Sequence, residues 1–287
     1  MINKETVKLI ECPRDAMQGW KHFIPTQKKI EYINSLLQVG FDTIDFGSFV
    51  SPKAIPQMAD THEVLKKLDL YDTATKLLAI VANVRGAADA MQYEQITYLG
   101  FPLSVSETFQ QRNTNASITD ALERVKEIQG LCVKNNKQLV VYLSMGFGNP
   151  YGDVYNAELV FQYVEQLVNE SITIISLADT VGVATPQQVA EMTGYLIKAL
   201  PQITIGVHLH SSARNWHEKI DAAYTAGCRR FDGALKGIGG CPMANDALVG
   251  NMATERLLVY LNEKGEAPQL NDAALHKSLQ LAGEIFV

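Results

Sequence analysis

The chain has 287 residues and a mass of 31.7 kDa, which suits two average domains or one α/β barrel. Its 47% hydrophobic and 20% charged residues are globular proportions and exclude a disordered, collagen-like or coiled-coil protein. Lys plus Arg number 25 against 31 Asp plus Glu, a formal charge of −6 without basic blocks, so neither nucleic acid nor an anionic membrane is an expected partner.

Short runs rich in Val, Ile and Leu alternate with longer amphipathic stretches. The run at 7–11 reads as a first strand, and Thr26–Leu37 as a helix with Ile30, Ile33 and Leu37 on one face. Strands follow at 43–46, 76–81 and 96–101. A helix at 117–133 opens with Ser117, Thr119 and Asp120 as cap candidates. Strands at 138–143 and 173–177 precede a helix at 186–200, whose entry Thr185-Pro186 is an N-cap followed by proline in the first helical position. The last strands are 203–208 and 230–232. Eight alternations of roughly 30 to 35 residues match a (β/α)₈ TIM barrel in count and length. An open doubly wound sheet is the competing architecture, but no G-x-G-x-x-G or P-loop motif supports it. No linker, low-complexity tract or charge run divides the chain, so residues 1–287 are expected to form a single TIM-barrel domain.

Four cysteines (Cys12, Cys132, Cys228 and Cys241) stand far apart with no C-x-x-C pair. That pattern fits reduced thiols better than a disulfide scaffold or a zinc ribbon. No apolar run approaches the roughly 18 residues of a membrane span, and the N-terminal segment carries no export-signal pattern. A cytoplasmic enzyme is the expectation.

In a barrel of this kind the chemistry sits at the C-terminal ends of the strands. Arg14 and Asp15 follow the first strand, Asp45 ends the second, and Asp179-Thr180 follow the sixth. His208 and His210 end the seventh, and Gly239-Gly240-Cys241-Pro242 lie beyond the eighth. In a strand, residues i and i+2 point the same way, so His208-Leu209-His210 can present two imidazoles to one ion; polar residues at a strand end are the plainer alternative. With an Asp after strand one and an Asn elsewhere, the donor set would suit Mg²⁺, Mn²⁺ or a similar ion better than structural zinc. Cys241 sits among glycines that would let a loop move and present one reactive group, although a buried cysteine packing as a small hydrophobe is equally consistent. Arg14-Asp15 reads as a charge clamp or a structural ion pair. Asp45 and Asp179 read as partners behind the site or as loop caps.

These motifs together resemble the 3-hydroxy-3-methylglutaryl-CoA lyase family. Pro13-Arg14-Asp15-Ala16-Met17-Gln18 is similar to the family's P-R-D-G-L-Q signature. Ser48-Phe49-Val50-Ser51-Pro52-Lys53 with Pro56-Gln57-Met58 matches S-F-V-S-P-K…P-Q-M, and the run from Ser176 to Pro186 looks like S-L-G-D-T-I-G-x-x-T-P. His208-x-His210, Gly239-Gly240-Cys241-Pro242 and Gly250-Asn251-Met252-Ala253-Thr254-Glu255 complete the series in family order, from about residue 7 to 256. The resemblance implies a TIM barrel that binds Mg²⁺ or Mn²⁺ and cleaves an acyl-CoA by a retro-Claisen reaction, giving acetyl-CoA and acetoacetate. It implies Asp15, His208, His210 and Asn251 as metal ligands, and Arg14, Cys241, Asp45 and Asp179 as the catalytic set. A small-molecule acyl-CoA is the implied partner, and a homodimer remains open.

The chain also departs from the pattern. Asp45 replaces the family's Glu, Ser211-Ser212-Ala213-Arg214 replaces Asp-Thr-Tyr-Gly, Gly19-Trp20 replaces Asn-Glu, and the stretch from Cys241 to Asn251 is one residue longer. The ligands persist while their surroundings change. A related aldolase or acyl-CoA condensing enzyme acting on another acyl-CoA or 2-oxo acid is therefore the alternative, and a non-catalytic barrel the third reading. No basic cluster marks a CoA pocket; Lys53 is a guess for its phosphates.

Overall fold

The computed structural model describes residues 6–240 and 249–287. The eight anticipated strands form in order: β1 (Lys8–Glu11), β2 (Thr43–Ser48), β3 (Lys76–Ile80), β4 (Ile96–Ser104), β5 (Gln138–Ser144), β6 (Ile174–Ala178), β7 (Thr204–His208) and β8 (Arg230–Gly233). Each pairs in parallel with the next, and β8 returns to β1, with Lys8 opposite Arg230 and Glu11 opposite Gly233. That closure makes the sheet a (β/α)₈ barrel and removes the open-sheet alternative.

The helices of the outer ring follow from caps and stripes. After the short α1 (Pro13–Gln18) comes α2 (Thr26–Leu37), which buries Ile30, Ile33, Leu36 and Leu37 on one side. Then follow α3 (Thr61–Lys66), α4 (Val84–Met91), α5 (Glu107–Thr114) and α6 (Ile118–Lys134). Of the three cap candidates of α6, Ser117 is the N-cap. Its hydroxyl accepts the Asp120 N–H while the Asp120 carboxylate accepts the Ser117 N–H. Next are α7 (Ala157–Asn169) and α8 (Pro186–Ala199), the latter entered through a Thr185–Gln188 capping box with Pro186 in the first turn. Finally come α9 (Trp216–Thr225), α10 (Thr254–Glu263) and α11 (Asp272–Ile285).

Strand residues alternate between two cores. Leu77, Ala79, Val141 and Leu143 pack outward against the helices, whereas Leu78, Ile80, Val140 and Tyr142 form a separate cluster inside the barrel. Two strands run two or three residues further than the apolar pattern indicated, β2 through Ser48 and β4 through Ser104. Asp45 thus lies within β2 instead of ending it, and the register against β3 shifts between Asp45 and Gly47. Gly47 permits that irregularity, because a Cβ there would fall 2.7 Å from the Thr61 side chain of α3. Among the described residues no helix is long and apolar enough to cross a membrane.

Candidate active site

The C-terminal mouths of β1, β7 and β8 converge on one group of side chains. Pro13, whose ring fixes the backbone in a helical φ, turns the chain from β1 directly into α1 and places Arg14 and Asp15 over the barrel mouth. His208 is the last residue of β7. Two residues later His210 forms an antiparallel bridge with Asn251, which carries the segment after β8 back over the mouth. The imidazole centroids of His208 and His210 are 5.4 Å apart. One ligand atom each from Asp15, His208 and His210 lies within 4.8 Å of the others.

Asn251 tests whether this group suits a cation. Its amide Nδ2 donates to Asp15 Oδ2 at 2.7 Å and to the Ile238 carbonyl at 2.9 Å. Its Oδ1 is buried and has no hydrogen-bond partner among the described residues. A buried amide oxygen without a donor costs about 1–3 kcal/mol, and a coordinated cation removes that cost. Two imidazoles, a carboxylate and an amide oxygen form a mixed N/O donor set, so the residues fit a divalent ion.

The histidines are held differently. His208 Nδ1 lies 3.3 Å from Asp232 Oδ2, and its Nε2 lies 4.0 Å from Asp15 Oδ2. Burial works to depress the His208 imidazole, but Asp232 and Asp15 outweigh it and hold it above the ordinary value. His210 is pushed down to about 3, first by burial and then by the charge of His208, with Asp15 opposing and Lys219 adding to the fall. It therefore keeps a free ring lone pair at neutral pH. Burial also opposes the charge of Asp15, yet Arg14 and the two histidines hold its carboxyl below the ordinary value.

Arg14 is clamped. Its Nε and Nη2 grip Asp45, with Nη2 2.5 Å from Oδ2, while Nη1 donates to Asp15 Oδ1 at 3.0 Å and to Gln18 Oε1 at 2.8 Å. Of the five N–H donors of a guanidinium, this leaves one on Nη2. Gln18 also donates to Asp15 Oδ1 at 2.8 Å, so Arg14, Asp15 and Gln18 brace one another. Burial pushes the Asp45 carboxyl up to about 6 against the pull of Arg14.

Asp179 stands apart from that cluster. It is 2% exposed and does not line the central cleft, although its neighbours Ala178 and Thr180 do. Its Oδ1 accepts the Ala184 N–H, and its Oδ2 accepts from Lys219 Nζ at 2.6 Å. Lys219 also donates to the carbonyls of His210 at 2.9 Å and Gly182 at 3.2 Å. Cys241 lies outside the described residues.

The cleft itself is a cavity of about 150 Å³. Arg14, Asp15, Gln18, His208 and His210 supply its charged and polar wall, and Val50, Ile55, Ile80, Ala82, Pro102 and Phe109 its apolar one. Sequence reasoning missed Lys219, Arg230 and Asp232. The pair Arg230-x-Asp232 carries the same i, i+2 signal as His208-x-His210 and could have been found. Lys219 sits in a helix with no such signal, and only tertiary burial marks it.

Comparison with known proteins agrees with this geometry. The HMGL-like family profile matches residues 7–282. The rat cytoplasmic 3-hydroxy-3-methylglutaryl-CoA lyase is 34% identical over 286 residues, covering 98% of this chain and 80% of the rat protein. The crystal structure of the HMG-CoA lyase from Brucella melitensis superposes with a TM-score of 0.91 at 30% identity, covering 98% of this chain and 99% of that one. An Acinetobacter baumannii HMG-CoA lyase, solved with coenzyme A and 3-methylmalate, gives 0.90 at 31% identity over 100% of this chain and 93% of that one. With its barrel, its ordered motifs and these full-length matches, the chain belongs to the HMGL-like family.

Proposed function

We propose that this protein is a divalent-metal-dependent carbon–carbon lyase that cleaves 3-hydroxy-3-methylglutaryl-CoA to acetyl-CoA and acetoacetate. Asp15, His208, His210 and Asn251 would hold Mg²⁺ or Mn²⁺. The observation that carries the reading is the unpartnered Asn251 Oδ1 beside Asp15 and two imidazoles, with the Arg14 guanidinium adjoining. When bound, the cation supplies a Lewis acid for the substrate's tertiary hydroxyl and carboxylate.

The chain's own residues then divide the remaining work. The tertiary hydroxyl gives up its proton, for which the cleft-lining Asp15 carboxylate would be the acceptor. Breaking the C2–C3 bond turns C3 into a ketone and places negative charge on the thioester oxygen of the departing enolate. The uncommitted Nη2–H of Arg14 is the donor for that oxygen, and Asp45 and Gln18 keep the guanidinium in place. Val50, Ile55, Ile80 and Pro102 keep water from the enolate. Cys241, on its sequence context, donates the proton that completes the acetyl group. Asp179 acts through Lys219 on the backbone of His210 and is a positioning residue. Coenzyme A in the Acinetobacter relative supports an acyl-CoA substrate. The rat relative's name and the buried free thiols Cys12, Cys132 and Cys228 support a cytoplasmic setting.

The test is incubation with Mn²⁺ and 3-hydroxy-3-methylglutaryl-CoA. Acetyl-CoA release that stops on adding EDTA, and is absent in Asp15→Ala and Arg14→Gln, is expected. Release no greater than that of Asp15→Ala rejects this substrate. Cleavage of a different acyl-CoA in a parallel panel would move the reading to the related aldolase and condensing enzymes.

A further inference from the structure

Beneath His208 lies a second pair of charges that the reaction does not consume. Parallel pairing of β7 and β8 sets His208 opposite Asp232, and Arg230, two residues earlier on β8, shares the face of Asp232. Asp232 divides its oxygens: Oδ2 meets His208 Nδ1 at 3.3 Å, and Oδ1 accepts from Arg230 Nη1 at 2.9 Å. The Asp232 side chain is fully buried, and that of Arg230 is 6% exposed. Arg230 thus sets a positive charge directly against the buried Asp232 carboxylate and holds one of its oxygens in place. An ionised carboxylate can only accept, so in the neutral ring that a cation requires, the single hydrogen of His208 sits on Nδ1. That leaves the Nε2 lone pair on the side of Asp15, whose Oδ2 at 4.0 Å is outside hydrogen-bond reach.

We infer that Asp232, backed by Arg230, is a positioning residue that fixes the tautomer and ring direction of His208 for cation binding. The inference rests on the metal reading of the site. It assigns a task to two interior charges that otherwise replace an apolar barrel layer at a cost in desolvation. Carboxylates placed in this way behind a ligating histidine raise metal affinity by about 10- to 100-fold.

The experiment measures free Mn²⁺ by electron paramagnetic resonance during titration of the full-length wild type and of Asp232→Asn, which preserves side-chain size. A Kd weakened about 10- to 100-fold, with kcat recovering to within a few-fold once Mn²⁺ exceeds the new Kd, is expected. An Asp232→Asn Kd within twofold of wild type overturns the inference, even if the metal-free variant melts earlier, since a purely structural role would do only that. Failure of the wild type to bind Mn²⁺ would instead overturn the metal reading and this inference with it. A second measurement needs no folded Asp232 variant. In wild-type protein saturated with Mg²⁺, long-range ¹H–¹⁵N spectra, assigned against His208→Gln, should show the retained His208 proton on Nδ1; a proton on Nε2 overturns the inference.

Discussion

Replacing Lys219 with methionine is expected to destabilise the protein by about 3–5 kcal/mol, the usual cost of removing one partner from a buried ion pair. Methionine matches the length of the lysine stem, so volume changes little and the loss is one of charge and donors. An ammonium has three N–H groups, and Lys219 directs them to Asp179, His210 and Gly182. Both side chains of the ion pair are only 1% exposed, so water does not replace the missing contacts. Asp179 would retain the Ala184 N–H at 3.0 Å but would become a buried carboxylate without a countercharge. At about 2.1 cal/mol/K per residue, a chain of this length unfolds with an entropy of about 0.6 kcal/mol/K, so Tm should fall by about 5–8 °C. The assay is urea unfolding in EDTA with linear extrapolation, which keeps metal binding out of the comparison. Adding Asp179→Asn removes the stranded charge and should restore about 1–3 kcal/mol. A single variant within about 1 kcal/mol of wild type, or a double variant no more stable than the single, would refute the reasoning.

Two further outcomes concern a buried acid on β1 and the proposed proton donor. Glu11 is fully buried, accepting from the Leu235 N–H at 2.8 Å and from Thr254 Oγ1 at 2.5 Å, and burial pushes its carboxyl from 4.5 to about 8. Between those values the folded chain holds a proton that the unfolded chain releases, so wild-type stability should fall with rising pH by up to about 1.4 kcal/mol per unit and level off above 8. Glu11→Gln should abolish that slope in denaturant titrations from pH 5 to 9, and parallel curves for the two proteins would count against the assignment. Cys241→Ala should lower kcat by about 10²- to 10⁴-fold while leaving the Mn²⁺ Kd within twofold, as suits a proton donor outside the ligand set. A variant with wild-type kcat would move the proton donor elsewhere.

The strands were legible because parallel barrel strands, buried on both faces, read as short unbroken apolar runs, and Thr26–Leu37 was legible because its stripe repeats at helical period. The ends of β2 and β4 were not, since polar and small residues such as Gly47, Ser48 and Ser104 continue the ladder where hydrophobicity stops. His208, His210, Arg14 and Asp15 stood out because charges at strand ends are unusual. Asp179 stood out for the same reason, yet its carboxylate turns to Lys219, and no one-dimensional pattern records which way a loop residue faces. Asp232 shares with Arg230 the i, i+2 spacing that His208 shares with His210, but its pairing with His208 is visible only once the β7–β8 register is known.

The bond from Asn251 to Asp15 spans 236 residues, and that from Thr254 to Glu11 spans 243. Donors from α1, the end of β7 and the segment after β8 meet only when β8 docks on β1. A growing chain released before its last third therefore has no complete binding set, whatever portion of the sheet it has already formed. Under the proposed ligand set, cation capture and ring closure become one equilibrium, in which the ion would tie the two ends of the fold as a clasp joins a necklace. The gain in affinity on completing the barrel must then return as resistance of the β1–β8 seam to opening.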